Sequence, residues 1–592
     1  MNIELIHKKV EEYKELLKQE TQQSGRYSLF RLFLIAVFVF SLYQGVNKAS
    51  IWYIGMGVSL VLFLYVARCH EQLKSKIEDD HAMMSAYEDL ISRKSGDWKK
   101  FADNGSQYLS ESSTQEYDLD IFGKASLYQY LCVAKTPLGK DALARLLSVR
   151  KQPSDSIQLR QEAVQECIQN TSFTMRMTML LKLFEQHGRK KRRKSLEDFF
   201  AYMEEQDALY SGVVKVLLYI LPILTIASGI ATMFFHVSYA YLLVLSTLSL
   251  CLAFLFFMRN SSRLSRVADS AELMKDYERM LREISAQNFH SVNLRALHEK
   301  LKDASEGIRK LNRILSMVRL RGNAITMIIA NAFILLDFHC VQALGVWKQS
   351  YGNQVRTWLS ALGEAEALLS LTQIGYAKEM TVVPEVKNQP LHMHMKEMKH
   401  PLLLEGEAVP NDFDAKQGSY IITGSNMSGK TTFLRTIGVN LVLMNAGAPV
   451  CAKEFSASSM NLYTSMRVMD DVSEGISTFY AEILRIKQMM EESAREEEML
   501  VLIDEIFKGT NSADRILCAK QAIVRLHLPW VITMVSTHDF ELCDLDKDPA
   551  IQAENYHFSE YYEGDRICFD YTLKDGRCTT TNATQLMKLA GF

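Results

Sequence analysis

The chain has 592 residues, too many for one compact domain and enough for three or four. Its 67 Lys and Arg nearly balance 69 Asp and Glu, so the overall charge predicts no strong attraction to nucleic acid or to acidic lipid. Hydrophobic residues make up 48% of the chain, at the upper end for a soluble protein, which indicates membrane segments. The ten cysteines show no Cys-x-x-Cys pair and no zinc-like spacing, so we expect reduced thiols.

Two pairs of apolar runs predict two transmembrane helical hairpins. The first pair covers residues 32–46 and 51–67, within a hairpin at about 29–67, and the second covers 213–235 and 239–258. About 20 apolar residues are needed to cross the hydrocarbon core. The second pair meets this length, whereas the first run needs residues 27–29 and a snorkelling Arg31. The alternative interpretation is that all four runs are buried core helices of a large soluble protein.

The charges around both hairpins predict their orientation. Cationic residues flank the outer ends, and the two connecting loops are short and nearly uncharged. By the positive-inside rule, both termini and the bulk of the chain face the cytosol, as in an integral protein of a bacterial-type inner membrane. The flanking cations are Arg26, Arg31, Arg68, Lys74, Lys76, the run at 189–194, Arg259, Arg263 and Arg266.

The basic run at 189–194 has a second interpretation, because it could also form a phosphate-binding patch.

A third apolar stretch, residues 324–344, carries Asn331, Asp337 and His339. Such side chains are costly in lipid, so we expect this stretch to be a core helix of the soluble part.

Near the C-terminus, a short apolar strand at 419–423 runs into the pattern Gly-x-x-x-x-Gly-Lys-Thr and then into a helical stretch. This strand–loop–helix setting predicts a phosphate-binding loop, in which backbone N–H groups and the helix N-terminus face the phosphates of a nucleotide. Lys430 is expected to neutralise phosphate charge, and Thr431 to bind Mg²⁺ through its hydroxyl. The predicted nucleotide-binding residues are Gly424, Ser425, Asn426, Met427, Ser428, Gly429, Lys430, Thr431 and Thr432.

Two further strands are predicted to deliver polar side chains to the same site. Residues 499–503 are apolar and end at Asp504 and Glu505, which we assign to Mg²⁺ and to the attacking water respectively. Residues 531–535 lead to His538, either a sensor of the γ-phosphate or an ordinary buried histidine.

These motifs, taken in order, resemble the ATPase motifs of the MutS family. The resemblance rests on 423–432, on the Asp-Asp-x-x-x-Gly-x-Ser-Thr-Phe segment at 470–479, on 504–512 and on 536–542, with His400-Pro401 and Pro410-Asn411 upstream. It implies an α/β P-loop ATPase domain with a mostly parallel sheet, joined to an all-α lever/core domain, here with two transmembrane hairpins. It also implies ATP and Mg²⁺ as cofactors and adds Asn411 to the nucleotide-binding residues.

The resemblance further implies a homodimer with a composite site. Ser477 and Thr478 would be presented across the dimer interface to the γ-phosphate bound by the other chain, with Lys430 and Glu505 acting in cis. Without the resemblance, Ser477 and Thr478 would simply cap the following helix. Two departures stand out: Ala408 occupies the position where the family has an adenine-stacking aromatic residue, and Asn582 stands where the family tends to have glycine.

The middle of the chain resembles the MutS helical core. A stripe of apolar residues from Leu294 to Val318 recurs at steps of three and four. This spacing is typical of long lever helices and equally of plain bundle packing.

No segment resembles the mismatch-reading domain. The predicted divisions are 1–78 for the N-terminal helix and first hairpin, 79–116 for a polar connector, 117–212 for the first part of the core, 213–258 for the second hairpin, 259–380 for the levers and 381–592 for the ATPase domain.

Two functions are consistent with these observations. The first is a membrane-anchored MutS-like ATPase that binds mismatched or structured DNA without sequence specificity. The second is a membrane-bound nucleotide switch acting on a protein or lipid partner. A transporter is a weaker third, because the predicted spans contain no charge that would mark a substrate path. In either leading case, lever movement would be linked to the membrane, because the second hairpin interrupts the helical core.

Overall fold

A computed structural model describes residues 2–47, 51–110, 113–189, 196–205, 210, 212–268, 271–387, 390–467, 478–507, 512–563 and 566–578. Ser477, Asn582 and residues 190–194 of the basic run lie outside these ranges. The helices are α1 Ile3–Asn47, α2 Trp52–Ser95, α3 Thr114–Asp118, α4 Leu127–Leu131, α5 Pro137–Leu146, α6 Ser154–Gln169, α7 Thr171–Arg189, α8 Leu196–Glu204, α9 Gly212–Phe235, α10 Tyr239–Leu255, α11 Phe257–Ala268, α12 Ala271–Ser285, α13 Val292–Lys300, α14 Ala304–Arg319, α15 Ala324–Ile334, α16 Leu336–Tyr351, α17 Val355–Ala377, α18 Lys430–Ala446, α19 Thr478–Ser493 and α20 Ser512–Leu526.

The strands form two sheets and a hairpin. They are β1 Glu385–Val386, β2 His392–Met398, β3 Asn411–Lys416, β4 Gly418–Thr423, β5 Glu454–Ala457, β6 Asn461–Ser465, β7 Met499–Asp504, β8 Val531–Thr537, β9 Glu554–His557, β10 Glu560–Glu563, β11 Arg566–Phe569 and β12 Lys574–Asp575. The larger sheet has the order β12-β9-β4-β8-β7-β6, and all its neighbours except β12 and β9 are parallel. The smaller sheet has the order β1-β5-β2-β3.

The apolar runs predicted as hairpins are helical and largely exposed. Within the described residues, α1, α2 and α9 are each long and apolar enough to cross a membrane, and two bent helix pairs, one beginning with α10 and one with α15, meet the same condition jointly. Side chains such as Phe33, Val61 and Val244 are about two-thirds exposed. Because so much apolar surface is rare on a soluble monomer, exposure weighs against the interpretation as buried core helices.

The first predicted hairpin does not end where the apolar residues end. From its apolar half, α2 continues unbroken to Ser95 and packs against α7 and the helical core. Asp89 forms an ion pair with Lys182 at 2.7 Å. The buried Arg93 donates a hydrogen bond to the carbonyl oxygen of Tyr130 at 2.7 Å. Much of the predicted connector at 79–116 is therefore a helical stalk fixed to the core.

The stalk ends beside the C-terminal domain. Gly96 terminates α2 in the left-handed region, with φ of 91°. A Cβ at this position would lie 3.2 Å from Cδ2 of Leu404, which follows β2. The helix thus links the apolar hairpin to the loop after β2.

The apolar stripe predicted for the levers is buried, but it belongs to two helices. Leu294 and Leu297 lie on α13, and Ile308, Leu311 and Leu315 lie on α14, all 3% exposed or less. The chain turns at residues 301–303, so the stripe is an element of bundle packing rather than one continuous lever.

The prediction of a single core helix at 324–344 is wrong. The stretch forms two helices, α15 and α16, which meet at Leu335 in the left-handed conformation (φ 49°, ψ 46°). The second helix is buried, as expected, whereas α15 leaves Ile325, Ile328 and Ile329 more than half exposed. Asn331 and Asp337, two of the polar residues that indicated a soluble core, have partners at the break, so they do not determine the exposure of the outer face of α15.

A buried carboxylate joins α17 to the start of α5. The Glu366 side chain is fully buried, and it accepts hydrogen bonds from the backbone N–H groups of Lys135 (3.0 Å) and Thr136 (3.1 Å) and from the Thr136 hydroxyl (2.7 Å). Burial raises the pKa of Glu366 to about 7 from 4.5, although these hydrogen bonds oppose the shift.

This raised pKa predicts a pH-dependent stability. Between about pH 4.5 and 7 the folded chain holds a proton that the unfolded chain releases, so the stabilisation is complete below pH 4.5 and lost as pH rises through 7. We expect Glu366→Gln to remove this dependence, so that wild type loses about 2–4 °C of unfolding temperature relative to the variant as pH rises through this window. Thermal unfolding in detergent measures it, with the exposed Glu364→Gln on the same helix as control. Parallel pH profiles for wild type and Glu366→Gln would contradict the assignment.

Candidate functional site

The loop between β4 and α18 is shaped by two glycines. A Cβ at Gly424 would lie 2.7 Å from the carbonyl oxygen of Phe558, a distance that only glycine permits. Gly429 immediately precedes α18 with φ of 110°, which also favours glycine. The loop therefore turns directly into the N-terminus of a buried helix, where unpaired backbone N–H groups and the helix dipole favour an anion.

Lys430, the first residue of α18, folds back over this loop. Its ammonium donates hydrogen bonds to the carbonyl oxygens of Gly424 at 2.8 Å and Ser425 at 2.9 Å, and it lies 3.5 Å from Nε2 of His538. The side chain is nearly buried. A cation is thus held at the mouth of the loop, where it can meet a phosphate group.

Thr431 and Asp504 meet beside the lysine. The Thr431 hydroxyl donates to Oδ2 of Asp504 at 2.7 Å, and the Ser536 hydroxyl donates to Oδ1 of the same carboxylate. Hydroxyl and carboxylate oxygens are ligands that Mg²⁺ prefers. These two side chains are therefore a suitable donor set for Mg²⁺.

Glu505 and His538 form the opposite side of the site. Nε2 of His538 lies 2.8 Å from Oε1 of Glu505 and 2.8 Å from Oδ1 of Asn426. The His538 side chain is 37% exposed, so it is not the ordinary buried histidine that sequence left open. Glu505 adopts a positive φ of 52°, which is uncommon for a residue other than glycine and is often found at functional sites.

An ion pair that sequence reasoning missed lies behind His538. Arg515 on α20 binds Asp539 in a bidentate manner, through Nε at 2.8 Å and Nη2 at 2.6 Å. Asp539 directly follows His538, so the pair fixes the chain where the histidine leaves β8. No local sequence signal connects the two residues, which are 24 positions apart.

A cavity of about 600 Å³ opens next to the loop. Asn411, Ala408 and the predicted residues from Asn426 to Thr432 line it, together with Glu505. Two aromatic residues that sequence reasoning missed, Phe558 and Tyr571, also line it.

The predicted residue Asn411 has a structural role in this cavity. Its amide donates to the carbonyl oxygen of Tyr571 at 3.0 Å and accepts from the N–H of Leu573 at 2.7 Å, which ties β3 to the segment carrying Tyr571. His400 lies on the same wall. Burial, with the Arg435 cation nearby, lowers the pKa of His400 to about 4, so the imidazole is neutral at physiological pH.

The structure thus brings together most of the predicted site. Lys430, Thr431, Asp504, Glu505 and His538 converge at one edge of the larger sheet, and Asn426 joins them from the loop. Ser477, predicted to act on a second chain, lies outside the described residues. Met427 stands 84% exposed at the loop's outer surface, so this edge of the site is open to a partner.

Comparison with known proteins agrees with these motifs. Residues 420–592 match the family profile of MutS domain V. The chain is 30% identical over 238 residues to the DNA mismatch repair protein MutS 2 of Halobacterium salinarum, covering 39% of this chain and 27% of that protein. It is 30% identical over 249 residues to MutS of Pelotomaculum thermopropionicum (40% and 28%) and 26% identical over 338 residues to MutS of Persephonella marina (54% and 34%).

The matched region spans only about a third or less of these relatives, and the family profile covers residues 420–592, which hold most of the site described above. The motifs, the profile and the relatives all point to one family. The C-terminal part of the chain, residues 420–592, is therefore a domain of the MutS type.

Proposed function

We propose that this chain is a membrane-anchored ATPase of the MutS type, which binds ATP with Mg²⁺ and hydrolyses it to ADP and phosphate. The observation that carries the proposal is the convergence of Lys430, the Thr431–Asp504 pair and the Glu505–His538 pair on one phosphate-binding loop. Each group suits one requirement of phosphoryl transfer to water.

In this proposal the loop N–H groups and Lys430 bind the β- and γ-phosphates. Mg²⁺, held by Thr431 and Asp504, would neutralise charge on the phosphate oxygens. Glu505 orients the attacking water, and His538 contacts both Glu505 and the γ-phosphate side of the loop through Asn426. Water attacks the γ-phosphorus, the bond to the β–γ bridging oxygen breaks, and ADP leaves.

We infer that Tyr571 supplies the aromatic face for adenine that Ala408 cannot. Tyr571 lines the same cavity as Ala408, and its ring approaches the position a Cβ would take at Gly429 to within 3.2 Å. Asn411 then acts indirectly, by holding the Tyr571 backbone.

A composite dimeric site forms part of the proposal. Ser477 of a second copy would complete the γ-phosphate contacts from the open side of the loop, where Met427 is exposed. The resemblance to the MutS motifs supports this arrangement.

Membrane anchoring is likewise proposed. The exposed apolar faces of α1, α2, α9 and α10 support four membrane-spanning helices, and the cations at their outer ends favour a cytosolic site.

ATP hydrolysis would drive one of two processes, and a separate observation favours each of them. The relatives that match the chain are named DNA mismatch repair proteins, which favours engagement of mismatched or structured DNA. The packing of α15 against α9 and α10, directly after α14, favours a switch that acts at the membrane on a protein or lipid partner.

Turnover of ATP by the full-length protein in detergent tests the central proposal. We expect Glu505→Gln to bind ATP normally and to lose at least about 100-fold in turnover, because the water is no longer oriented. The exposed Glu491→Gln on α19 is the matched control and should behave as wild type. Hydrolysis by Glu505→Gln near the wild-type rate would rule out the assigned role.

Adding homoduplex, mismatched or four-way-junction DNA at two salt concentrations separates the two roles. Only an ATPase that is coupled to DNA changes its turnover in a salt-dependent way.

The Tyr571 ring gives a second prediction. We expect Tyr571→Ala to weaken ATP binding about tenfold, the value of one lost aromatic stacking contact, with turnover at saturating ATP little changed. Tyr571→Phe should bind as wild type, and Tyr561→Ala, an exposed tyrosine on β10, serves as control. Calorimetric titration measures the affinity. Equal affinities for wild type and Tyr571→Ala would place the base elsewhere.

The Arg515–Asp539 ion pair gives a third prediction, as a positioning pair for His538. We expect Arg515→Ala to lower kcat by about 10- to 100-fold with ATP affinity unchanged, because the histidine loses its orientation. The exposed Arg525→Ala, on the same helix, should have no effect. The charge-reversed double variant Arg515→Asp with Asp539→Arg should recover part of kcat, which a general loss of stability would not allow. Equal losses in the single and double variants would contradict this role.

A further inference from the structure

Helix α15 presents a continuous apolar face to the outside of the protein. Ile325, Ile328 and Ile329 are 69%, 51% and 54% exposed, and Phe333 and Ile334 extend the same surface. Its opposite face packs against both helices of the second hairpin, α9 and α10. The exposed face of α15 therefore continues the apolar surface of that hairpin.

The length of α15 restricts how it can meet a bilayer. Eleven residues rise about 16 Å at 1.5 Å per residue, roughly half of the 30 Å hydrocarbon core. The helix is therefore too short to cross. The following helix, α16, turns away from it by 81° and is largely buried, so the chain continues in the soluble domain.

Side chains and an ion pair satisfy polar groups at the break after α15. The Asn331 side chain accepts from the N–H of Asp337 at 3.0 Å and donates to the carbonyl of Met327 at 3.0 Å. Arg321 pairs with the Asp337 carboxylate at 2.9 Å, in a nearly buried contact. Irregular backbone is tolerated at membrane depth when it is satisfied within the protein in this way.

The break also lies at the base of the second hairpin. The Phe338 ring, near the start of α16, lies 5.2 Å from the ring of Tyr210, just before α9, and 5.4 Å from that of Phe256, just after α10. The point where the chain leaves α15 is thus level with the two ends of the hairpin that join the soluble domain.

We propose that α15 is embedded among lipid acyl chains beside the second hairpin, as a short helix confined to the cytosolic half of the bilayer. The inference rests on the proposed membrane anchoring. Acyl chains are the fitting occupant because the exposed face carries only apolar side chains and continues the faces of α9 and α10. Polar Asn331 points inward and is buried.

This placement attaches a lever to the lipid. Only the short turn Leu320–Gly322 and Asn323 separate α14 from α15. Movement of α14 against the core would be transmitted to a helix lying in one leaflet, whereas the hairpin helices span both.

A lipid-quenching experiment on the full-length protein tests the proposal. Ile325→Cys and Ile328→Cys are labelled with an environment-sensitive fluorophore and reconstituted into phosphatidylcholine vesicles whose acyl chains are either plain or brominated. Ile230→Cys, on an exposed position of α9, is the positive control, and Ser316→Cys, exposed on α14, is the negative control. Wild-type protein treated with the same fluorophore measures the background fluorescence from the native cysteines.

We expect brominated chains to reduce fluorescence at 325 and 328 as strongly as at 230, with no loss at 316. Quenching at 230 but at neither 325 nor 328 would overturn the proposal while leaving the hairpin in the membrane. No quenching at 230 would overturn the membrane anchoring itself, and with it the placement of α15. Two separate positions on α15 protect the test against one variant that fails to fold.

Discussion

Parallel pairing of β4, β8 and β7 determines the geometry of the site. The register places Thr423 beside Thr537 and Asp504 beside Ser536, so three strands end at the same edge of the sheet. These strands are buried on both faces, so the backbone hydrogen bonds of each parallel pair hold the register. The register brings Lys430, Asp504, Glu505 and His538 together at that edge.

Sequence was sufficient for the parts of this site that depend on local pattern. A strand that ends in a glycine-rich loop and a helix can be recognised within about fifteen residues, because each element has its own periodicity and its own turn residues. Carboxylates at the ends of apolar strands follow from the same reasoning, which is how Asp504 and Glu505 were placed. The two helices of the second predicted hairpin have nearly the expected ends, since α9 and α10 consist almost wholly of apolar residues, whereas their membrane crossing stays a prediction.

The features that the sequence did not predict depend on contacts between residues far apart in the chain or on an unusual backbone conformation. Tyr571 reaches the cavity beside the β4–α18 loop from 160 positions beyond Asn411, and no sequence pattern around Tyr571 indicates this contact. Leu335 breaks the helix at 324–344 in a left-handed conformation that sequence disfavours for leucine. Because the Asn331 side chain accepts from the Asp337 backbone N–H and the Asp337 carboxylate pairs with Arg321, polar composition misled the prediction about the outer face of α15.

The unbroken α2 helix has a consequence for how two copies could meet. From Cys69 to Ser95 it rises about 40 Å beyond its apolar half, and it ends against the loop that contains Leu404. If the chain is anchored in a membrane as proposed, this helical strut of fixed length would hold every copy of the proposed nucleotide site at the same height above the bilayer and in the same upright orientation. Two copies would then search for each other by sliding and turning in a plane, without the tumbling that limits association in solution. The entropy lost on pairing would be correspondingly smaller, so even a modest contact surface around the open loop could suffice for a dimer.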